Sequence, residues 1–138
     1  MFTGIIQQIG TIKKISACRS VFALGLRRTR RKSSSGDKKC KIFAIQAKKL
    51  NNQLKPGNSI SVDGVCFTVT KKIKNAFFVD AMDETLKKSI AGLYKTGQKV
   101  NLELPLRIDD KIDGHFVTGH VDCRDKINNV RRMEKNYV

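Results

Sequence analysis

Ser59-Ile60-Ser61-Val62-Asp63-Gly64-Val65-Cys66-Phe67-Thr68-Val69-Thr70 is the stretch that decides the fold class. Two alternating segments flank Asp63-Gly64, a dipeptide whose residues tolerate positive φ and favour a tight hairpin. Lys55-Pro56-Gly57-Asn58 marks the turn before it, because Pro fixes the first corner and Gly allows positive φ. Alternation puts Cys66, Thr68 and Thr70 on one face and Val65, Phe67 and Val69 on the other. A face of one thiol and hydroxyls suits hydrogen bonding to a polar heteroaromatic ring. A pair of threonines on an outer strand face fits the pattern nearly as well.

The same period extends in both directions. Phe2 to Gln7 and Gly10 to Ile15 read as two short strands, and Lys41 to Lys48 as a strand buried in part on both sides. Ala76 to Met82 follows the Lys74-Asn75 turn, and Val100 to Leu104 runs up to Pro105. Asp83-Glu84-Thr85-Leu86-Lys87-Lys88 places acids first and bases last, as a short helix prefers for its dipole. About six strands and one short helix in roughly a hundred residues predict an all-β fold, a small closed barrel. That barrel takes residues 1–108, and Asp109 to Asp113 serves as a connector.

The opening Met1-Phe2-Thr3-Gly4-Ile5-Ile6 returns as Phe116-Val117-Thr118-Gly119-His120-Val121, an offset of 115 residues. At that offset Thr3 falls on Thr118, Gly4 on Gly119, Ile6 on Val121, Ile12 on Ile127 and Ile15 on Val130. Residues 109–138 therefore read as a connector and the truncated start of a second barrel. Any site built between the two units is expected to be incomplete.

Twenty-eight Lys and Arg against twelve Asp and Glu give a formal charge of +16, which favours anionic partners. Much of the excess lies in Arg27, Arg28, Arg30, Arg31, Lys32, Lys38, Lys39 and Lys41, within a basic insertion at about 18–41 that reads as an exposed loop. No apolar run approaches the ~18 residues a membrane helix needs, so a soluble chain is expected. The N-terminus does not read as a secretory signal. Cys18, Cys40, Cys66 and Cys123 show no Cys-x-x-Cys spacing, so a reduced, cytoplasmic setting is the stronger reading and a disulfide or zinc framework the weaker.

His115 and His120 are the only histidines. Five apart on one strand they point to opposite faces, and Asp122 and Cys123 add no recognised ligand spacing, which argues against metal. His120 reads either as a neutral residue capping a strand end or as a proton-transfer group at a barrel mouth.

Four ordered segments closely resemble the riboflavin synthase family, alpha-chain type. They are Met1 to Ile6, Asp63 to Thr70, Val79 to Leu86, and Gly114 to Asp122. The resemblance spans the chain except roughly Cys18 to Lys41. It implies two similar six-stranded Greek-key barrels per subunit, a homotrimer, and a site between one subunit's N-terminal barrel and a neighbour's C-terminal barrel. The implied reaction is dismutation of two 6,7-dimethyl-8-ribityllumazine molecules to riboflavin and 5-amino-6-(ribitylamino)uracil. No metal or organic cofactor is implied, and association with lumazine synthase is. Carried over by motif, Gly4, Ile5 and Ile6 line the ring, as do Cys66, Phe67 and Thr68. Asp80, Ala81, Met82, Asp83, Glu84 and Thr85 hold the ring edge and ribityl chain. Gly119, His120 and Val121 reach a neighbouring subunit's site. Phe2, Cys66 and His120 are the residues expected to affect turnover.

The second copy stops at Val138, so the sequence reads as a fragment or a shortened form, weak or inactive by itself, and, if truncated, a homodimer or monomer in place of the full-length family's homotrimer. Two rivals stand beside the enzyme: a non-catalytic lumazine or flavin carrier, and a basic barrel binding single-stranded nucleic acid. The charge favours the second rival, but Phe43, Phe67, Phe77 and Phe78 fall within apolar strands and read as buried, which leaves bases nothing to stack on.

Overall fold

The structure, a computed structural model, describes residues 1–18, 40–107, 119–134 and the backbone of 136–137. The chain forms β1 (Gln8–Ala17), β2 (Lys41–Gln46), β3 (Ser59–Val62), β4 (Val65–Ile73), β5 (Ala76–Ala81), α1 (Asp83–Lys88) and β6 (Lys99–Glu103). These six strands close into one antiparallel barrel in the order β1-β2-β5-β4-β3-β6, with Gln8 to Thr11 of β1 pairing onto β6. The β2-to-β3 connection skips two strand positions, as in a Greek key, and closure leaves no open sheet edge. The all-β barrel expected from the alternation is therefore present. Among the described residues no helix is long and apolar enough to cross a membrane.

Asp63 (φ 49°) and Gly64 (φ 81°) both take positive φ, the geometry of a type I′ turn, and they bring Ser61 opposite Cys66. The Asp63 carboxylate accepts a hydrogen bond from the Asn101 N–H at 2.7 Å, tying the turn to β6. Ile60, Val62, Val65, Phe67 and Val69 point inward and meet Phe43, Ile45, Phe77, Val79 and Leu102 in one core. Phe43 sits edge-on to both Phe67 and Tyr94, at 6.4 and 5.3 Å between ring centres. Phe43, Phe67 and Phe77 are buried; Phe78 is only half-buried, its ring beneath the Lys71 ammonium, contrary to the buried reading.

Three further expectations need correction. Phe2 to Gln7 forms no strand, and the strand read from Gly10 begins earlier, at Gln8. The reason lies in Glu103, which draws the Thr3 and Gly4 amides out of any ladder. Second, Cys18 and Cys40 form a disulfide. Antiparallel pairing of β1 with β2 sets Ala17 opposite Lys41, and the Cys18 N–H reaches the Cys40 carbonyl at 3.1 Å, so tertiary register rather than sequence spacing unites them. Third, residues 119–131 run without a strand, and a two-residue ladder, β7 (Arg132–Met133) with β8 (Asn136–Tyr137), follows. His120 is thus not on a strand, because no neighbouring strand among the described residues offers it a ladder. His115 and most of the basic insertion lie outside the described residues.

Candidate functional site

Register builds the site on the outer face of the sheet. Cys66 of β4 stands opposite Ser61 of β3, and Ser61 opposite Glu103 of β6. Adjacent strands lie about 4.8 Å apart, so this row spans roughly 10 Å. Cys66 is exposed at one end, whereas Glu103 at the other is only 2% exposed. The N-terminal segment covers it. Glu103 Oε1 accepts hydrogen bonds from the Thr3 N–H and, at 2.8 Å, from the Thr3 hydroxyl. The Gly4 N–H reaches both carboxylate oxygens, at 3.2 and 3.1 Å.

A second segment lies across the first. The Gly119 N–H donates to the Phe2 carbonyl at 3.0 Å, Val121 N–H to the Gly64 carbonyl at 3.0 Å, and Arg124 N–H to the Lys88 carbonyl at 3.1 Å. Close approach demands glycine here: a methyl on Gly119 would lie 2.3 Å from the Gly4 nitrogen, and one on Gly64 2.2 Å from Val121 Cγ2. Gly4 and Gly119, equated by the 115-residue offset, are thus in direct contact.

Between β4, α1 and this second segment is a hollow of about 220 Å³, walled by Cys66, Glu84, Thr85, Lys88, His120 and Val121. Pockets that enclose a drug-sized ligand hold ~300–1,000 Å³, so this one takes part of a ligand and leaves the rest outside. Thiol, imidazole and hydroxyl there can exchange hydrogen bonds with a heteroaromatic edge. The Lys88 ammonium lies 2.7 Å from Glu84 Oε1 at the rim. That hydrogen bond, then the charge behind it, holds the Glu84 carboxyl below its ordinary pKa and the Lys88 ammonium above its own. The rim therefore carries a formed ion pair at neutral pH. No three His, Cys, Asp or Glu side chains gather as metal ligands among the described residues.

The structure brings together Cys66, Glu84, Thr85, His120 and Val121, and joins Gly4 to Gly119. Other candidates stand apart. Phe67 and Ala81 point into the core and offer a ligand only their backbone. Phe2 is buried, 7% exposed, and its carbonyl accepts the Gly119 N–H of the second segment. Ile5, Ile6 and Met82 are exposed and do not wall the hollow, and neither does Thr68, which shares the outward face of Cys66. Asp80 accepts from the Thr70 hydroxyl at 3.3 Å, and Asp83 pairs with Lys87 at 2.6 Å. Gly119, His120 and Val121 pack on this chain's own barrel. Sequence reasoning missed Lys88, Ser89, which also lines the hollow, and Glu103. The signal for Glu103 was faint: a carboxylate ending a strand, where solvent exposure is the ordinary expectation.

A riboflavin synthase from Bacillus amyloliquefaciens is 38% identical over 133 residues, covering 96% of this chain and 53% of its own. One from Chlamydia trachomatis is 34% identical over 138 residues, covering 100% of this chain and 58% of its own. The chain thus spans about half the length of the curated relatives it matches. Among solved structures, LumP complexed with 6,7-dimethyl-8-(1'-D-ribityl) lumazine superposes with a TM-score of 0.67 at 22% identity, over 99% of this chain and 66% of that one. LumP complexed with flavin mononucleotide gives 0.68 over 97% and 65%, at the same identity, and these likenesses support the fold. The family model described as lumazine binding domain matches residues 3–105, three quarters of the chain and nearly all of the barrel, and the chain belongs to that family.

Proposed function

We propose that this chain is the N-terminal, ring-binding barrel of a riboflavin synthase. The carrying observation is that the Cys66 thiol and the His120 imidazole wall one hollow, beside the contact between the two Thr-Gly repeats. The relatives named riboflavin synthase and the ligands of the LumP structures support lumazine and flavins as the ligand class. In the reaction one 6,7-dimethyl-8-ribityllumazine gives a four-carbon unit to a second. The acceptor becomes riboflavin and the donor leaves as 5-amino-6-(ribitylamino)uracil.

Most of the acceleration in such a reaction comes from holding two rings face to face, with proton transfers at the ring methyl groups. Gly4, Ile5 and Ile6 contribute backbone groups, Cys66 its thiol, Phe67 its backbone and Thr68 its hydroxyl. Asp80 to Thr85 face the ring edge and ribityl chain, and Gly119 to Val121 close the other side. His120 moves protons, and Phe2 acts by seating the segments above it. A barrel binds one ring of the pair, so we expect the barrel with the segment carrying His120 and Val121 to bind, and the 138-residue chain to turn over weakly without a second complete barrel. A trimer of the full-length enzyme belongs to the same proposal; exposed Met1, Ile5, Ile6 and Ile9 support contact with another chain.

The test is a titration with 6,7-dimethyl-8-ribityllumazine, following ligand fluorescence and the appearance of riboflavin. Saturable binding with slow riboflavin formation is expected. Absence of binding to the folded barrel refutes the proposal, and turnover equal to that of a two-barrel enzyme refutes the need for a second barrel.

A further inference from the structure

We propose that Glu103 is a positioning residue that fixes both segments of the site, an inference that rests on the lumazine-binding reading. Glu103 is the one charged side chain among the described residues that is fully buried. Burying a carboxylate is costly unless hydrogen bonds replace its water. Here the donors come from the far end of the sequence: Thr3 N–H, Thr3 hydroxyl and Gly4 N–H all converge on it.

Two successive backbone N–H groups aimed at one anion form a nest, and Gly4 at φ +82° supplies the left-handed residue. The Thr3 hydroxyl extends the arrangement, donating to Glu103 while accepting from the Ile5 N–H at 3.2 Å. Residues 3–5 are thus wrapped around the carboxylate, which sets the path of Ile5 and Ile6.

The same wrap builds the platform for the second segment. Gly119 rests on Gly4 and donates to the Phe2 carbonyl. Val121 then bonds to Gly64, which leaves His120 between them at the hollow. One carboxylate therefore governs Gly4 to Ile6 directly and His120 through Gly119. It touches no ligand itself.

Glu103→Gln keeps the side chain's size but removes its negative charge and one accepting oxygen, so that an NH₂ donor faces the Gly4 N–H. In a folded variant, riboflavin should bind at least roughly tenfold more weakly, the loss of hydrogen bonds to a charged group. Amide resonances of Thr3, Gly4, Gly119 and His120 should shift, while those of β2 and β5 stay in place. Unchanged riboflavin affinity overturns the proposal, as do shifts confined to Thr3 and Gly4, because a merely local role moves nothing beyond them. If Glu103→Gln does not fold, Thr3→Val decides: it removes the hydroxyl's bonds to Glu103 and to the Ile5 N–H, leaves the backbone N–H contacts with the carboxylate in place, and should weaken riboflavin about threefold. Equal affinity in that variant sinks the idea. Failure of the unaltered protein to bind riboflavin defeats the lumazine reading instead, and the Gly119 and His120 resonances then decide the anchoring alone.

Discussion

At the scale of single residues, the site depends on atoms that are absent as much as on those present. Gly119 lets the second segment lie on Gly4, and backbone on both sides leaves a methyl no room to be accommodated. Gly119→Ala should lift the segment while leaving the barrel intact. Hydrogen exchange at the Val121 and Arg124 amides, now bonded at 3.0 and 3.1 Å, should accelerate at least roughly tenfold, with β4 amides unaffected. Unaltered protection at Val121 would mean the contact does not hold the segment down. The repeated Thr-Gly was legible in the sequence, but that its two glycines would touch was not. Periodicity reports which residues correspond, and contact depends on how the chain returns.

At the scale of elements, the hairpin and helix were legible because local chemistry determines them. Asp63-Gly64 demands positive φ wherever it stands, and α1 runs over Asp83–Lys88 with its acids and bases in the expected order. Alternation breaks where strands bulge. β1 shifts register between Ile12 and Lys14, so Lys13 and Lys14 both face solvent, and β4 does the same between Val69 and Lys71. The Cys18–Cys40 bridge closes the insertion at the end of β1 and β2, with a separation of 22 residues. A loop of that size constrains the unfolded chain by roughly 3 kcal/mol. Replacing both cysteines with serine should lower unfolding stability by about that amount in urea titration, and reductant should reproduce the loss. Equal stability of oxidised and reduced protein would contradict this.

At the scale of the whole molecule, the core sets the alkaline limit of stability. Burial first, and the neighbouring Asp63 carboxylate second, push the Tyr94 hydroxyl well above the ordinary 10.0. Below pH 10.0 the phenol is neutral folded or unfolded and contributes no pH dependence. Above it the unfolded chain releases a proton that the barrel retains, so stability falls as pH rises. In an alkaline titration the Tyr94 phenolate absorbance should therefore appear together with loss of the barrel's circular dichroism. Tyr94→Phe should weaken that steep dependence. Ionisation of Tyr94 within an intact barrel would show that the core does not shield it.

Sequence by itself determined the class of fold, the hairpin, the helix, the repeated Thr-Gly and the outward face that carries Cys66 and Thr68, because alternation, turn chemistry and motif order are local properties. Only the tertiary structure decided that Cys18 meets Cys40, that Thr3 and Gly4 close on Glu103, and that His120 shares a hollow with Cys66. Each of those meetings joins positions far apart in the chain, brought together by barrel closure and strand register, which no local pattern encodes.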